Sequence, residues 1–345
     1  MVKLFDYSFI KELSVPIKQA EILSRIHVCE ERINIWKQYY PEAMEQFYTK
    51  RIFEDVCSTH DIEHIPIDRE RSTLLIYCDE APRTDNENKV LGQYEAIQYC
   101  EILKTKDRLV PEDFLEIHRR LMIRHDPNGG TYRSVDYPHI GYGTATTIEK
   151  PVSTKEIRYV INSFCRTYNA ASADPGIDNV ILALCATLDF FSISPFENGN
   201  GRMYRLLLNL FLGRAGISIQ TYAPLEKYIL EHLENHFVSL NSSTKGWECE
   251  SHAYDFFIDD ILHNLSHCVR FLDESLPPIS AGKHTKSERI AYIADTAHGS
   301  FSAGYVNEHA PDISSISIYK QLSEMVKNGE LLKEGNTRST TYRKP

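Results

Sequence analysis

Apolar residues recur at three- and four-residue spacing over most of the chain, and that spacing predicts amphipathic helices. Ile17, Ala20, Ile22, Leu23, Ile26, Ile33 and Ile35 predict a helix over 16–38. Pro41 opens a second, since proline suits the first helical position, and Met44, Phe47, Ile52, Phe53 and Val56 carry it to about residue 64. Residues 66–88 are polar and poorly periodic and read as a loop. A helix follows over 86–103, then one from Pro111, where Glu112 and Asp113 suit the positive end of the helix dipole. His118-Arg119-Arg120 reads as the edge of that helix. Residues 126–130 are a turn, and 131–147, rich in Tyr, Thr, Ile and Gly, predict a β-hairpin. Helices are predicted over 154–170 and 177–193, the second so continuously apolar that it reads as buried. A short apolar run covers 206–212, and helices over 224–241 and 252–272 close the main body. The expected class is all-α, a helical bundle carrying one small hairpin.

The end of the chain reads differently. Pro277 to Gly282 looks like a linker, placed at 276–284. Three short helices are expected over 285–297, 302–309 and 314–328, then a strand, a turn at Glu334-Gly335-Asn336-Thr337 and a second strand to Lys344. That order resembles a small winged helix-turn-helix domain over 285–345. There Ser314, Ser315, Ser317, Tyr319 and Lys320 would face a DNA groove, and Arg338 and Arg343 the phosphates.

Composition narrows the classes. The net charge of −10 over 345 residues argues against nucleic acid as a partner of the whole surface. Residues 283–345 carry nine Lys/Arg against seven Asp/Glu, a slight basic excess. The eight cysteines are scattered with no Cys-x-x-Cys pair, so neither a zinc site nor a disulfide framework is indicated, and a reducing cytosol is the simplest home. No signal-peptide core opens the sequence, and the longest apolar run is broken by Asp189, so no membrane role is expected. Export by a leaderless route stays open.

The candidate chemistry lies in Ser194-Pro195-Phe196-Glu197-Asn198-Gly199-Asn200-Gly201-Arg202-Met203-Tyr204-Arg205, between two apolar segments. Gly199 and Gly201 let backbone approach a ligand. The loop feeds a helix N-terminus, whose free N–H groups and dipole favour an anion. Arg202 and Arg205, three apart, share a helix side and can grip phosphate oxygens. Read bare, the segment is a polyphosphate cradle.

This segment closely resembles the motif of the Fic (filamentation-induced-by-cAMP) family, His-Pro-Phe-x-(Asp/Glu)-Gly-Asn-Gly-Arg-x-x-Arg. Two positions depart from it: Ser194 replaces the catalytic histidine, and Asn198 replaces a metal-binding carboxylate. Upstream, Thr59 and Glu63 resemble the family's inhibitory signature, Ser/Thr-x-x-x-Glu-(Gly/Asn), with His64 in place of the small last residue. Arg133 and Ile140-Gly141-Tyr142-Gly143 resemble the hairpin flap that aligns a target by backbone pairing. The resemblance covers roughly 40–270. It implies N-terminal helices over 1–85, with an inhibitory helix at about 41–64, and a Fic domain over 86–275, in an arrangement common in bacteria.

By that resemblance the chain transfers AMP from ATP to a Ser, Thr or Tyr hydroxyl of a target protein, with Mg²⁺ and in the cytoplasm. Asn200 and the loop amides over Gly199 and Gly201 would hold the α-phosphate, Arg202 and Arg205 the outer phosphates, and Asn198 a weakly bound Mg²⁺. Glu197 borders the nucleotide although it is one residue out of register with the carboxylate position. Tyr228, His236 and Phe237 would shape the adenine pocket. Glu63 would pair with Arg205 at the γ-phosphate position, restrain transfer, and in some family members orient the water that removes AMP. A serine hydroxyl is no base at neutral pH, and loss of a general base costs about two to four decades in rate. Ser194 is thus an introduced substitution, a natural residue with residual or differently based activity, or the mark of a pseudoenzyme that senses ATP through Glu63 and acts as a DNA-binding regulator. Duplex DNA through 285–345 and a second copy of the chain are further partners the reading allows.

Overall fold

The computed structural model describes residues 5–122, 124–142, 146–149, 151–278, 284–335 and 340–345. The elements run α1 Ile17–Tyr39, α2 Pro41–Ile62, α3 Arg69–Tyr77, α4 Asp85–Leu103, α5 Pro111–Met122, β1 His139–Tyr142, β2 Thr146–Glu149, α6 Ile157–Ser172, α7 Asn179–Ile193 and α8 Asn200–Arg214. Then come α9 Ile219–Tyr222, α10 Leu225–Glu231, α11 Leu233–Thr244, α12 Asp255–Ser275, α13 Lys286–Thr296, β3 Phe301–Ser302, α14 Ala303–His309, α15 Ser315–Lys327, β4 Leu332–Glu334 and β5 Thr341–Arg343. Among the described residues the fold is helical, with only small antiparallel strand pairs. Among the described residues no helix is long and apolar enough to cross a membrane.

The chain divides into two compact units, each discontinuous in sequence. The first comprises Met1–Ile22, Ile52–Ser218 and Pro224–Asn264. Its centre is α7 packed against α8: every residue from Val180 to Ile193 and from Gly201 to Leu212 is buried. Asp178 starts α7 by accepting the N–H groups of Val180 and Ile181, each at 2.9 Å. Phe164 of α6 meets Phe190 of α7 and Phe211 of α8, both at 6.2 Å between centroids. β1 and β2 pair with Ile140 opposite Ile148.

The second unit comprises Leu23–Arg51, Ile219–Ala223 and Leu265–Pro345. A capping box of Thr285 and Glu288 starts α13. Ile290, Ile293, Val306, Ile318, Leu322 and Tyr342 form a small core under a three-stranded sheet of order β3-β5-β4. Buried Arg289 makes a two-pronged pair with Asp312, both bonds at 2.7 Å. Positions 279–283 of the expected linker, Asn336 and Thr337 of the expected turn, Arg338, and Gly143 of the expected flap lie outside the described residues.

Three expectations are corrected. Residues 66–88 contain α3, not only a loop. Asp68 caps it by accepting the Arg71 N–H at 3.0 Å, and Ser72, Leu75 and Ile76 are buried. Leu74, Leu75 and Ile76 stand in a row, which hides the helical period. The helix expected over 224–241 is two, α10 and α11, broken at His232. There the backbone moves to φ −116, ψ 28, while the imidazole Nδ1 bonds the Tyr228 carbonyl at 2.9 Å and Asn264 Oδ1 at 3.1 Å. A side chain that bonds locally competes with the helix ladder. Finally, α9 and a 3₁₀ turn at Ser8–Glu12 had no signal in the periodicity.

Asp189, which interrupts the apolar run of α7, is fully buried. It accepts the Tyr7 hydroxyl at 2.8 Å, the Trp247 indole N–H at 2.7 Å and the Tyr254 hydroxyl at 3.1 Å. Burial, then the neighbouring Asp189 charge, pushes the Tyr7 and Tyr254 hydroxyls far above the usual phenol range. One carboxylate thereby ties three distant segments to the central helix. Asp189→Leu strands three donors at about 1–3 kcal/mol each, so a loss of at least about 3 kcal/mol is expected by urea unfolding. A variant as stable as the parent would contradict this role.

Candidate functional site

The loop between α7 and α8 is shaped by two left-handed residues. Ser194 ends α7 at φ 44, ψ 64, and Gly199 starts α8 at φ 77, ψ 4. At Gly199 a Cβ would lie 3.1 Å from the Met122 sulfur and 3.5 Å from His118 Nε2, so a side chain there meets both strain and crowding. Asn200 clamps the turn: Phe196 N–H donates to its Oδ1 at 3.1 Å, and its Nδ2 donates back to the Phe196 carbonyl at 2.8 Å. The family resemblance gave that side chain a phosphate, whereas here it holds the loop.

Two further residues brace the loop. Arg133 Nε donates to the Ser194 carbonyl at 3.1 Å, and its own N–H donates to the Pro195 carbonyl at 2.9 Å. His118, expected only as a helix edge, is buried and stacks on Phe196 with centroids 3.7 Å apart. Its Nε2 donates to the Asn198 carbonyl at 3.0 Å and its Nδ1 accepts the Gly130 N–H at 3.0 Å. This is the neutral tautomer, consistent with burial pushing the imidazole down to about 4. No local pattern singles it out, because one helical histidine looks the same whether it faces solvent or a loop 80 residues away.

The loop lines a cavity of about 270 Å³, walled also by Ile62, Glu63 and His64 from the end of α2, by Ile140, Gly141 and Ile148 of the hairpin, and by Phe191 and Phe237. Ser194, Glu197, Asn198, Gly199, Asn200 and Gly201 all reach it. Of the three expected adenine-pocket residues, Phe237 lines it and Tyr228 and His236 are not among its described lining. His236 is buried between the Tyr204 hydroxyl and Asp260 Oδ2, each at 2.5 Å. Ser194 Oγ donates to the Phe191 carbonyl at 2.6 Å, and the Glu197 carboxylate accepts the Tyr137 hydroxyl. At the Asn198 position a divalent cation would find one neutral oxygen, with Glu197 the adjacent carboxylate, a sparse set for a hard cation.

Both arginines are buried, and neither is among the cavity's described lining. Arg202 Nη2 contacts the Met122 sulfur at 3.4 Å. Arg205 is fully buried: Nη2 pairs with Glu63 Oε1 at 2.9 Å, and Nε lies 3.2 Å from Thr59 Oγ1 and 3.3 Å from Glu226 Oε2. The Thr59 hydroxyl also donates to Glu226. Glu226, unforeseen from the sequence, is a second buried carboxylate on the same guanidinium, and it is buried where Glu63 is about a quarter exposed.

His60, one turn before His64, is buried, with Nδ1 2.6 Å from the Val56 carbonyl, and burial pushes it to about 4. An unfolded histidine titrates near 6.5. The unfolded chain therefore binds more protons than the folded one between those values. Stability should be level above about pH 6.5 and fall as pH drops toward about 4, by about 3 kcal/mol for each of His60 and His118. Urea unfolding across pH 4–8 measures this. A His118→Phe chain, which keeps a ring on Phe196, should show a shallower fall, and an unchanged slope would contradict the assignment.

Comparison with known proteins bears on this geometry. A family model described as Fic/DOC family matches residues 108–212. Protein adenylyltransferase fic-1 of Caenorhabditis elegans is 31% identical over 157 residues, 43% of this chain and 29% of that protein. Protein adenylyltransferase Fic of Nematostella vectensis is 32% identical over 133 residues, 37% of this chain and 29% of that protein. The match thus spans under a third of these curated relatives' length. A solved Fic family protein from Desulfovibrio desulfuricans G20 superposes with TM-score 0.62 at 16% identity, covering 96% of this chain and 97% of that one. The solved Fic-1 segment (aa134–508) of C. elegans gives TM-score 0.55 at 21% identity, over 73% of this chain and 71% of that one. With its glycine-rich loop opening α8, the segment over residues 108–212 is similar to the Fic/DOC family, and the chain as a whole shares the fold of a solved Fic family protein.

Proposed function

We propose that the chain transfers AMP from ATP, taken with Mg²⁺, to a hydroxyl of a target protein, and that Glu63 restrains the transfer. The observation that carries this reading is the 2.9 Å pair between Glu63 and Arg205 beside a cavity walled by the loop amides. The first-turn N–H groups of α8 and the helix dipole favour phosphate oxygens there. Arg202 and Arg205 add positive charge below. A carboxylate holding Arg205 occupies the anion's place, so ATP competes with Glu63. Phe237 offers an apolar ring to the base, and Ile140 and Gly141 put a hairpin edge where an extended peptide can pair. The names of the curated relatives support AMP transfer as the reaction class.

Glu63→Ala should release Arg205 and strengthen ATP binding by about tenfold, the equivalent of about 1.4 kcal/mol. Calorimetric titration with ATP and Mg²⁺ tests it, and equal or weaker binding in the variant would remove Glu63 as the restraint. Labelling by α-labelled ATP, compared between this chain and Ser194→His, tests the reaction class itself.

A second reading concerns residues 284–345. Three helices with a three-stranded sheet in the order β3-β5-β4 support a winged-helix module, in which α15 would be the reader. Its outer face carries exposed Ile316, Tyr319 and Lys320. Arg343 is paired with Glu334 at 2.5 Å, which blunts the charge a phosphate would meet. If the module binds duplex DNA, Lys320→Ala lowers affinity and the dependence on salt becomes shallower. Absence of duplex binding by the parent at low salt would eliminate this reading.

A further inference from the structure

AMP transfer needs a group to take the proton from the attacking hydroxyl, and position 194 holds a serine instead of an imidazole. His64 stands on the wall of the same cavity as Ser194. Among the described lining residues it is the one histidine. Other imidazoles near the site are outside the described lining, His125 among them with neither ring nitrogen hydrogen-bonded. His118 uses both nitrogens on backbone groups. His60 is buried, with Nδ1 on the Val56 carbonyl. His236 is buried between Tyr204 and Asp260. The two carboxylates of the wall are engaged as well, Glu63 by Arg205 and Glu197 by the Tyr137 hydroxyl. His64 is exposed.

The backbone adds a second, independent observation. His64 adopts φ 54, in the left-handed region. That conformation costs a non-glycine residue about 1–2 kcal/mol, and glycine or asparagine takes it at less cost. The inhibitory signature that residues 59–63 resemble has glycine or asparagine at this very place. Four non-glycine described residues have positive φ, and two of them, His64 and Ser194, line this one cavity. Strained backbone retained at a site wall marks a position held for use.

We propose that His64 is the general base of this chain, an imidazole supplied from the end of α2 in place of the one missing at position 194. The inference rests on the AMP-transfer reading. A neutral ring nitrogen of His64 takes the hydroxyl proton as the target oxygen bonds to the α-phosphorus of ATP. The bond from that phosphorus to the oxygen bridging toward the β-phosphate breaks, and its electron pair leaves with pyrophosphate. The imidazolium then returns its proton to water. Because His64 follows Glu63 directly, one helix end carries both the restraint on ATP and the base, so displacement of Glu63 by ATP acts on both together.

The test compares four chains, all carrying Glu63→Ala so that restraint does not mask transfer: the otherwise native chain, His64→Gln, Ser194→His, and Ser194→His with His64→Gln. Each is given α-labelled ATP with Mg²⁺ from pH 5.5 to 9 and scored for label on protein, with ATP affinity measured separately by calorimetry. The expected result is a loss of labelling by about 10²–10⁴-fold in His64→Gln, with unchanged ATP affinity. The double variant, with histidine back at 194, should label again. Labelling by His64→Gln at the native rate, or a loss of labelling that comes with lost ATP binding, overturns the proposal. Labelling by the two Ser194→His chains alone overturns it and leaves the AMP-transfer reading standing. No labelling by any of the four removes that reading, and the proposal with it.

Discussion

A guanidinium with no access to water must be neutralised where it lies, and Arg205 meets that demand with two carboxylates and a hydroxyl. Glu226 and Thr59 sit on Nε, and Glu63 on Nη2. Removing one partner of such a buried pair costs about 3–5 kcal/mol because a charge is left uncompensated. Position 205 is therefore a structural joint. Glu226 is buried and takes the Thr59 hydroxyl as well, so it belongs to the fixed part. Glu63 is partly exposed and reaches the cavity, so it is the partner held outside the core.

The turn from α7 to α8 places backbone amides over that arginine. Ser194 and Gly199 supply two left-handed residues five positions apart, and the Asn200 side chain closes the ring back to Phe196. Arg133 and His118 then brace the outside of the loop through its carbonyls. Polar side chains spent on the loop's own backbone make a rigid cradle before any ligand arrives, which lowers the ordering cost of binding. The central helices make this possible. Their near-continuous burial leaves Asp189 as the polar tether through which Tyr7, Trp247 and Tyr254 reach α7.

Periodicity located most helices and the hairpin, and the glycine-rich loop that lines the cavity was legible because its residues are local in sequence. The Thr59 and Glu63 pair was legible for the same reason, four positions apart on one helix face. What escaped was nonlocal or disguised. In α3 three adjacent apolar residues conceal the period, and at His232 an imidazole bond to backbone breaks a helix whose pattern runs straight through.

Residue types and short spacings carry the helical class, the glycine-rich loop, the serine at 194 and the candidate inhibitory glutamate. Each of these depends on residue type and short spacing, which the chain carries openly. Only the tertiary structure decided that Arg205 is shared by Glu63 and Glu226, that Asn200 is spent on its own loop, that His118 braces Asn198, and that His64 and Ser194 share one cavity wall. All but the Asn200 ring to Phe196 are encounters between segments about 20 to 140 residues apart, and the packing of α2, α5 and α10 around the α7–α8 pair fixes them, which no local pattern records.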